Sequence, residues 1–313
     1  MMNQDTLVLK AQGKINLGLD ITGKRPDGYH DLRMVMQTVQ LCDEITLTRV
    51  PFSAVREGTP QIALTSSNAG LPTDERNIAW KAASQLLGEF NIRDGVRIHL
   101  RKRIPVAAGM AGGSTDAAAV LQGMNLLFDL RLGRKKLMDR GVRLGADVPF
   151  CIMRGTALSE GIGDILTELP GPPKYPLLLV VPPIQVATKD IYEAYDGIEV
   201  EKHPDIDALI DCLKAPTQSI EAIAAAFGNV LEEVTIPQHP VLTKIKADLT
   251  RSGACGTLMS GSGPSVFAVF PTPRKCRDAY FKMQAKYPDA LVVETGFFNM
   301  APGRFQRPVH SGN

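Results

Sequence analysis

The stretch PVAAGMAGGSTDAAAVLQG, residues 105–123, brings three glycines and two hydroxyl side chains together directly before a predicted helix. Gly109, Gly112 and Gly113 let the backbone adopt conformations closed to other residues, so that successive N–H groups can face one anion. The positive end of the following helix adds to this attraction. The stretch therefore predicts a phosphate-binding loop, and the alternative is a turn that only packs a strand against a helix.

Two standard nucleotide-binding patterns are not supported. Residues 18–24, GLDITGK, match the first seven positions of G-x-x-x-x-G-K-[ST], but Arg25 replaces the hydroxyl residue that binds magnesium. Pro26 and Gly28 also prevent the helix that must follow that pattern. Residues 109–116 do not match G-x-G-x-x-G within a regular βαβ unit, so the dinucleotide-binding fingerprint has little support either.

Hydrophobic periodicity places the glycine-rich stretch between a strand and a helix. In the first half, the predicted strands are 7–21, 43–48, 61–66 and 96–100, and the predicted helices are 76–90, 116–130 and 134–144. In the second half, the predicted strands are 177–181, 256–260, 266–270 and 291–297, and the predicted helices are 189–195, 206–213, 220–227, 241–250 and 274–286. Because strands and helices alternate without regular βα repeats, we predict an α+β fold.

The composition changes around residues 155–175, where glycine and proline become frequent. Such stretches interrupt regular elements, and a length of 313 residues corresponds to about two domains. We therefore predict an N-terminal domain at 1–158 and a C-terminal domain at 159–298. Residues 299–313 are rich in proline, glycine and arginine and are predicted to form a flexible tail.

The composition is that of a folded protein without a strong overall charge. Hydrophobic residues make up 44% and charged residues 22% of the chain, which excludes global disorder. Lys and Arg number 35 against 33 Asp and Glu, so neither nucleic acid nor an anionic membrane is an expected partner. The densest basic run, 97–103, alternates with apolar residues and is predicted to be one solvated face of a strand.

The cysteines and the apolar runs indicate the compartment. The five cysteines are an odd number without C-x-x-C spacing, which argues against a disulfide framework and against a zinc site. No run approaches the roughly 18 apolar residues that span a bilayer, and the N-terminus lacks the apolar core of a signal peptide. We therefore expect a cytoplasmic protein that does not bind membranes.

Four motifs together resemble those of one enzyme superfamily. IPVAAGMAGGSTDAAA, residues 104–119, resembles the phosphate loop of the galactokinase, homoserine kinase, mevalonate kinase and phosphomevalonate kinase (GHMP kinase) superfamily. GKINLGLDITGKRPDGYHDL at 13–32, LGADVPFCI at 144–152 and LMSGSGPSVFAVF at 258–270 resemble motifs of its branch that acts on a cytidine diphosphate-linked methylerythritol. The order and spacing agree across residues 13–298, which is nearly the whole chain.

The resemblance implies a two-domain GHMP kinase fold of the α+β class. Its N-terminal domain is expected to be like domain 2 of ribosomal protein S5, and its C-terminal domain to be ferredoxin-like. The implied reaction is ATP-dependent phosphorylation of the 2-hydroxyl of 4-diphosphocytidyl-2-C-methyl-D-erythritol, in the non-mevalonate (methylerythritol phosphate) route to isoprenoids. ATP and Mg2+ are the implied cofactors, with unknown metal ligands, and the enzyme is expected to be a monomer or a homodimer.

The resemblance also implies a catalytic pair, Asp147 and Lys14. Phosphoryl transfer has a loose transition state, so an enzyme mainly positions the attacking hydroxyl and neutralises charge on the phosphoryl oxygens. A lysine within about 4 to 6 Å keeps a partly buried aspartate ionised, and that aspartate can accept the alcohol's proton or hold the alcohol in line. Taken alone, Asp147 would fit a turn or helix cap, and Lys14 would fit a solvated strand position.

Further residues match binding positions of the family. On the ATP side these are Asn77, Pro105, Val106, Ala107, Ala108, Gly109, Met110, Ala111, Gly112, Gly113, Ser114 and Thr115. On the substrate side they are Asn16, Tyr29, His30, Thr188 and Tyr192. A tyrosine ring can stack on cytosine while an imidazole reads the polar edge of the base.

Some of these positions have simpler interpretations. Tyr29 and His30 also fit an exposed turn, and Thr188 also fits an N-cap of the following helix. GSGPS at 261–265 fits a hairpin turn, although in the family this loop closes over the active site. Asp116 is interpreted as a helix cap.

The differences from the family motifs are small, and two alternative functions are considered. Met110, Ala111 and Thr115 replace the Leu, Gly and Ser of the family's loop, and Gly13 replaces Ala. One alternative is a homoserine or mevalonate-type kinase, but a substrate without a nucleobase would leave the stacking tyrosine unused. The other alternative is a nucleotide-responsive binding protein without catalysis, against which the presence of both catalytic residues argues.

Overall fold

The structure is a computed structural model, which describes residues 5–54 and 60–300. Within these residues the strands form a seven-stranded and a four-stranded sheet. The first sheet contains β1 (Thr6–Lys24), β2 (His30–Val50), β3 (Ile62–Ser66), β4 (Gly95–Arg101), β5 (Thr156–Gly161), β6 (Ile165–Leu169) and β8 (Gly228–Asn229). The second sheet contains β7 (Pro176–Val181), β9 (Gly256–Met259), β10 (Val266–Val269) and β11 (Leu291–Gly296).

The helices lie along both halves of the described chain. They are α1 (Ile78–Glu89), α2 (Gly112–Leu127), α3 (Arg134–Gly141), α4 (Val148–Met153), α5 (Thr188–Tyr195), α6 (Ile206–Lys214), α7 (Ile220–Ala225), α8 (Glu232–Gln238), α9 (Val241–Arg251) and α10 (Pro273–Lys286). Asn77 is the N-cap of α1, where its side chain accepts a hydrogen bond from the amide of Ala79. A cap of this kind satisfies one of the amides that a helix leaves free at its start.

The long hairpin of β1 and β2 forms the centre of the first sheet. The first half of β2 pairs with β5, and its second half pairs with β4. The register of β1 against β2 shifts beside Lys14 and again beside Asn16. Such irregularities bend a strand and re-aim its side chains. Lys14 and Asn16 are both buried, so the alternative interpretation of Lys14, a solvated strand position, is wrong.

Helix α2 packs closely against this hairpin because its residues are small. Ala117, Ala118 and Ala119 are buried in the core that the helix shares with β1, β2 and α1. A Cβ atom on Gly123 would lie only 2.2 Å from a methyl group of Leu47, so no other residue fits there without movement. The close approach fixes the position of the N-terminus of α2 relative to the sheet.

The second sheet has the strand order β11-β7-β10-β9, and all of its neighbouring strands are antiparallel. With the connecting helices between β7 and β9 and α10 between β10 and β11, this is the strand order of a ferredoxin-like domain. Hydrophobic residues of both sheets meet in common cores, as Met36 and Phe150 do with Leu178 and Phe270. The α+β prediction is confirmed.

Several short elements were not predicted from the sequence, namely α4, β5, β6, β8 and α8. The stretch 155–175 was interpreted as a domain junction, but its glycines form the turn of the β5–β6 hairpin. The boundary between residues 158 and 159 stays a prediction; strand β5 crosses it, and the change of sheet comes after Leu169. A tail was predicted at 299–313, and residues 301–313 of it lie outside the described residues.

Candidate active site

The loop before α2 has an alternating backbone conformation. The φ angles of Ala107, Gly109 and Ala111 are 52°, 72° and 55°, all in the left-handed region, while the residues between them are not. Alternating right- and left-handed residues turn successive N–H groups toward one side and form a nest that binds anions. Ala111 adopts the left-handed conformation although it carries a Cβ, so the loop keeps its shape at some cost in strain.

Helix α2 begins four residues earlier than predicted, at Gly112 instead of Asp116. The two glycines of GGSTD weakened the helical pattern in the sequence, so this stretch was not predicted as helix before Asp116. In the structure, the nest continues directly into the first turn of α2. Among the described residues, the amides of Gly112, Gly113 and Ser114 donate to no backbone carbonyl. Free amides and a helix dipole attract anions, so the end of the nest has the chemistry that an anion-binding site requires.

A cavity of about 220 Å3 lies beside this helix terminus. Residues predicted for ATP binding contribute Asn77, Pro105, Val106, Ala107, Gly112 and Gly113 to its lining. Lys102 and Asp116 also line it, although neither was predicted to bind ATP. The cavity and the nest are therefore continuous around the start of α2.

The turn between β9 and β10 packs directly onto the loop. Ser260 donates a hydrogen bond from its hydroxyl to the carbonyl of Gly109 at 2.9 Å, and accepts one from the amide of Asn16 at 3.3 Å. Ser262 contacts the hydroxyl of Thr188 at 2.9 Å. The GSGPS segment is thus a hairpin turn, as one interpretation predicted. Together with Ser260 it forms the turn at 260–265, which we call the glycine turn and which links the loop with β1 and α5.

Lys14 and Asp147 come together beside the loop. Lys14 Nζ lies 3.8 Å from Asp147 Oδ2 and donates a hydrogen bond to Asn16 Oδ1 at 2.8 Å. The amide of Lys14 donates to the carbonyl of Met110 at 3.1 Å, which ties this part of β1 to the loop. The Lys14 side chain is 8% exposed and that of Asp147 is 32% exposed. The carboxylate is therefore accessible from the cleft, whereas the ammonium group lies beneath it.

Asp147 stands at the N-cap position of α4, but its side chain makes no capping hydrogen bond. The interpretation of Asp147 as a helix cap is therefore wrong for its carboxylate. The turn that carries it also approaches the start of α2: the hydroxyl of Ser114 is 4.0 Å from the position of a Cβ on Gly145. The free amides of α2 and the carboxylate thus face the same region.

A second cavity, of about 450 Å3, is lined by Tyr29, His30, Thr188 and Tyr192. The rings of His30 and Tyr192 are 5.2 Å apart, and Tyr29 is 63% exposed. Burial raises the pKa of the Tyr192 phenol, and the nearby charge of Asp147 raises it further. This second cavity, which we call the aromatic pocket, is linked to the Lys14–Asp147 pair through Thr188, the turn between β9 and β10, and Asn16.

The comparisons with known proteins agree with this arrangement. Residues 77–155 match the model of the GHMP kinases N terminal domain, and residues 210–289 match that of the GHMP kinases C terminal. A 4-diphosphocytidyl-2-C-methyl-D-erythritol kinase of Lachnoclostridium phytofermentans is 48% identical over 94% of this chain and 98% of its own. One from Lachnospira eligens is 49% identical over 85% of this chain and 90% of its own. The chain belongs to the 4-diphosphocytidyl-2-C-methyl-D-erythritol kinase family.

Solved structures support the same family. A crystal structure of 4-(cytidine 5'-diphospho)-2C-methyl-D-erythritol kinase has a TM-score of 0.76 at 28% identity and covers 93% of this chain and 99% of its own. Homoserine kinase from Cytophaga hutchinsonii has a TM-score of 0.73 at 19% identity, with 96% of each chain covered, which shows the common fold. As a member of the 4-diphosphocytidyl-2-C-methyl-D-erythritol kinase family, the chain is an enzyme and a kinase.

For two predicted site residues of this kinase, the structure bears on one of the interpretations offered from the sequence. Thr115, expected to bind ATP, is buried, and its hydroxyl donates to the carbonyl of Gln12 at 2.6 Å. Its amide donates to the carbonyl of Ala111 within the helix. Thr188 is the first residue of α5, whose N-cap is Ala187, so the interpretation of Thr188 as an N-cap is wrong.

Thr115→Val is expected to lower the free energy of unfolding of the kinase by about 1 to 2 kcal/mol, because the carbonyl of Gln12 loses its buried donor. The KM for ATP is expected to stay within about twofold. Ser114→Ala is the matched comparison, and it should raise the KM for ATP while stability changes by less than about 0.5 kcal/mol. Urea unfolding measures the stability of the two variants, and steady-state kinetics measure their KM for ATP. The reverse pattern would return Thr115 to the ATP site.

A buried charge cluster beside the ATP-side cavity was not predicted. Lys102 forms ion pairs with Asp43 and with Asp116, the latter at 2.6 Å, and all three side chains are at most 6% exposed. Asp116 is therefore not a helix cap. The basic run was assigned to a solvated face, which holds for Arg97 and Arg101 in β4. Lys102 directly follows the last residue of β4, and its side chain is buried. Side chains alternate along a strand, and residue 102 continues the buried series 96, 98 and 100, so the sequence did contain a signal that Lys102 faces inward.

Asp116→Asn is expected to remove part of the pH dependence of stability. Burial raises the pKa of Asp116 to about 7, and the adjacent Asp43 raises it while Lys102 lowers it. Since the folded pKa exceeds the unfolded value, the stabilisation is full at acidic pH and is lost as the pH rises to about 7. Between pH 5 and 8 the free energy of unfolding of the parent protein should therefore fall more than that of the variant. Urea unfolding at both pH values measures the difference, and equal losses would contradict it.

Proposed function

We propose that this kinase transfers the γ-phosphate of ATP to the 2-hydroxyl of 4-diphosphocytidyl-2-C-methyl-D-erythritol, with Asp147 and Lys14 at the reacting atoms. The observation that carries the proposal is the position of this pair. It is linked to the free amides of α2 by the contact of Ser114 with Gly145, and to the aromatic pocket by Asn16, the turn between β9 and β10, and Thr188. A carboxylate–lysine pair between two binding regions is placed to act on a phosphoryl group that passes from a molecule in one region to a molecule in the other.

On the nucleotide side, the nest and the first turn of α2 are proposed to hold the phosphates of ATP. The left-handed residues Ala107, Gly109 and Ala111 and the free amides of Gly112 and Gly113 support this role. The adjoining cavity, which includes Asn77, is proposed to take the nucleoside. Backbone N–H groups act here as fixed donors, so they stabilise charge on the phosphoryl oxygens without reorganisation.

In the reaction, Asp147 is proposed to face the attacking hydroxyl, because its carboxylate is accessible and makes no capping hydrogen bond. It accepts the proton of that hydroxyl or holds the hydroxyl in line with the phosphate. Lys14 is proposed to keep the carboxylate ionised and to offset the charge that develops on the transferred group. Asn16 is proposed to contribute through its amide oxygen, which fixes the ammonium group of Lys14 at 2.8 Å.

On the acceptor side, the aromatic pocket is proposed to bind the cytidine part of the substrate. Tyr29 presents an exposed ring, and His30 and Tyr192 lie with their ring centres 5.2 Å apart. Aromatic faces stack on a nucleobase, and an imidazole nitrogen forms a directional hydrogen bond with its edge. Thr188 lines the same pocket and is linked through Ser262 to the glycine turn.

Magnesium is proposed to enter with ATP. Among residues 5–54 and 60–300, no three His, Cys, Asp or Glu side chains are close enough together to hold a metal ion. Mg2+ commonly binds through phosphate oxygens, water and one or two carboxylates and does not need a cage of side chains, so these residues fit an ion carried by the nucleotide. When bound, the ion neutralises negative charge on the phosphates.

No helix in the described part of the chain has the length and apolarity needed to cross a membrane. The cytoplasmic location and the choice between monomer and homodimer stay predictions.

An assay of ADP release with purified protein tests the proposal. The acceptors are 4-diphosphocytidyl-2-C-methyl-D-erythritol, homoserine and mevalonate, and a reaction without acceptor measures ATP hydrolysis. We expect ATP-dependent turnover with the cytidine-linked acceptor that exceeds the others by at least about 100-fold, since the latter leave the aromatic pocket empty. Turnover with homoserine or mevalonate alone would support another GHMP kinase activity. ATP binding without turnover would support a binding protein.

A further inference from the structure

A buried imidazole and a carboxylate meet at the rear of the aromatic pocket. His30 Nε2 lies 2.7 Å from Asp196 Oδ1, and the ring of His30 is 8% exposed. Lys24 donates to the other oxygen, Oδ2, at 2.8 Å. Asp196 lies one residue beyond the end of α5, so the folding of α5 against the β1–β2 turn brings the pair together. No family motif in the sequence includes Asp196.

The hydrogen bonds keep Asp196 in its charged form. The side chains of Lys24 and His30 donate to it and hold the pKa of Asp196 below its ordinary value. A carboxylate without a proton is an acceptor only. The hydrogen atom in the 2.7 Å contact therefore belongs to Nε2 of His30.

This contact determines what the other ring nitrogen can do. In a neutral imidazole one nitrogen carries a hydrogen and the other accepts, and a carboxylate that binds one of them selects the tautomer. With the hydrogen on Nε2, Nδ1 is an acceptor. Among the described residues no group forms a hydrogen bond with Nδ1. Because Asp196 occupies Nε2, Nδ1 is the ring nitrogen left for a ligand in the pocket that His30 lines.

Other charged groups around the ring do not provide a competing carboxylate. Lys189 and Glu193 also line the pocket, but they form an exposed ion pair with each other at 3.5 Å. The remaining ring contacts of His30 are with Tyr192 and Tyr195. The tautomer of His30 therefore depends on Asp196.

We propose that Asp196 is a specificity-determining positioning residue, which makes the pocket select cytosine over uracil by holding His30 Nδ1 as a hydrogen-bond acceptor. Cytosine carries an amino group, a donor, at the position where uracil carries a carbonyl oxygen, an acceptor. A fixed acceptor on His30 accepts a hydrogen bond from the amino group of cytosine. The carbonyl oxygen of uracil would face that acceptor with no hydrogen atom between them. The inference rests on the proposed function, since it concerns the base that the proposed substrate carries.

Asp196→Asn tests the inference because asparagine has nearly the same shape but can donate as well as accept. The amide of asparagine can donate to Nε2, so the hydrogen of His30 moves to Nδ1 and the ring then suits a carbonyl. We expect the ratio of kcat/KM for the cytidine-linked over the uridine-linked substrate to fall by at least about 100-fold. Asp196→Glu keeps a carboxylate and should retain most of the preference. Asp207→Asn, an exposed charge change on α6, is the matched control and should keep the parent ratio.

Nitrogen NMR of protein with 15N-labelled histidine provides a readout independent of turnover. In the parent protein we expect His30 with a protonated Nε2 and a bare Nδ1, and in Asp196→Asn the opposite tautomer. A doubly protonated His30 in the parent protein, or an unchanged substrate ratio in a folded Asp196→Asn variant, would overturn the inference. A parent protein that does not turn over the cytidine-linked substrate would overturn the proposed function instead, and the NMR result would then still report on the tautomer.

Discussion

Asp147→Asn is expected to lower kcat by about 10³- to 10⁴-fold, while the KM values for ATP and for the acceptor change by less than about threefold. Asparagine has nearly the same volume as aspartate, so the turn before α4 should keep its shape. It cannot take the proton of the hydroxyl, and it no longer offsets the charge of Lys14, which lies 3.8 Å away. The loss therefore falls on the transition state and not on binding.

Steady-state kinetics with both substrates measure this loss, and ATP binding by calorimetry shows whether the nucleotide site is intact. Asp139→Asn is the matched control, since Asp139 is an exposed aspartate on α3, the helix that precedes the Asp147 turn. It should retain the kcat of the parent protein. A kcat within tenfold of the parent in Asp147→Asn would remove Asp147 from the reaction.

Gly109→Ala is expected to lower kcat/KM for ATP by at least about 100-fold. The added Cβ would lie 2.0 Å from the carbonyl oxygen of Ser260, which is backbone and cannot rotate away. The φ angle of 72° is also unfavourable for alanine. The loop and the glycine turn must therefore separate, which moves the nest by about 1 Å or more, and a shift of that size costs roughly 10² in rate.

Gly88→Ala is the matched control, because nothing lies within 4 Å of a Cβ at Gly88 in α1. It should leave kcat/KM unchanged and raise stability slightly, as alanine favours a helix over glycine. Circular dichroism shows whether Gly109→Ala is folded, and ATP binding shows whether the defect is in the nest. A folded Gly109→Ala variant that binds and uses ATP like the parent would show that the loop does not hold the phosphates.

Much of the site could be predicted because its motifs are local in the sequence. The phosphate loop needs glycines and a helix start within about ten residues, and 105–123 contains both. The resemblance then supplied Lys14, Asp147 and His30, and the structure pairs Lys14 with Asp147 and places His30 in the aromatic pocket. The larger helices and strands were also predicted, since an amphipathic pattern over ten or more residues is a strong signal.

Short elements were harder to predict for a physical reason. α4 has six residues and β8 has two, which is too few for a periodic pattern to appear. Their positions are fixed by packing against other parts of the chain. The same holds for the start of α2, where tertiary contacts override the weak helical tendency of glycine.

The sequence by itself determined the chemistry of this protein: which loop can bind a phosphate, which residues match the catalytic motifs and which fold class they require. The tertiary structure alone decided which polar groups are in contact. It turned the hydroxyl of Thr115 inward, buried Lys102 between two carboxylates and set Asp196 against His30. These contacts join residues 14 to 166 positions apart, and their geometry depends on how helices and sheets pack, which no local pattern of residues specifies.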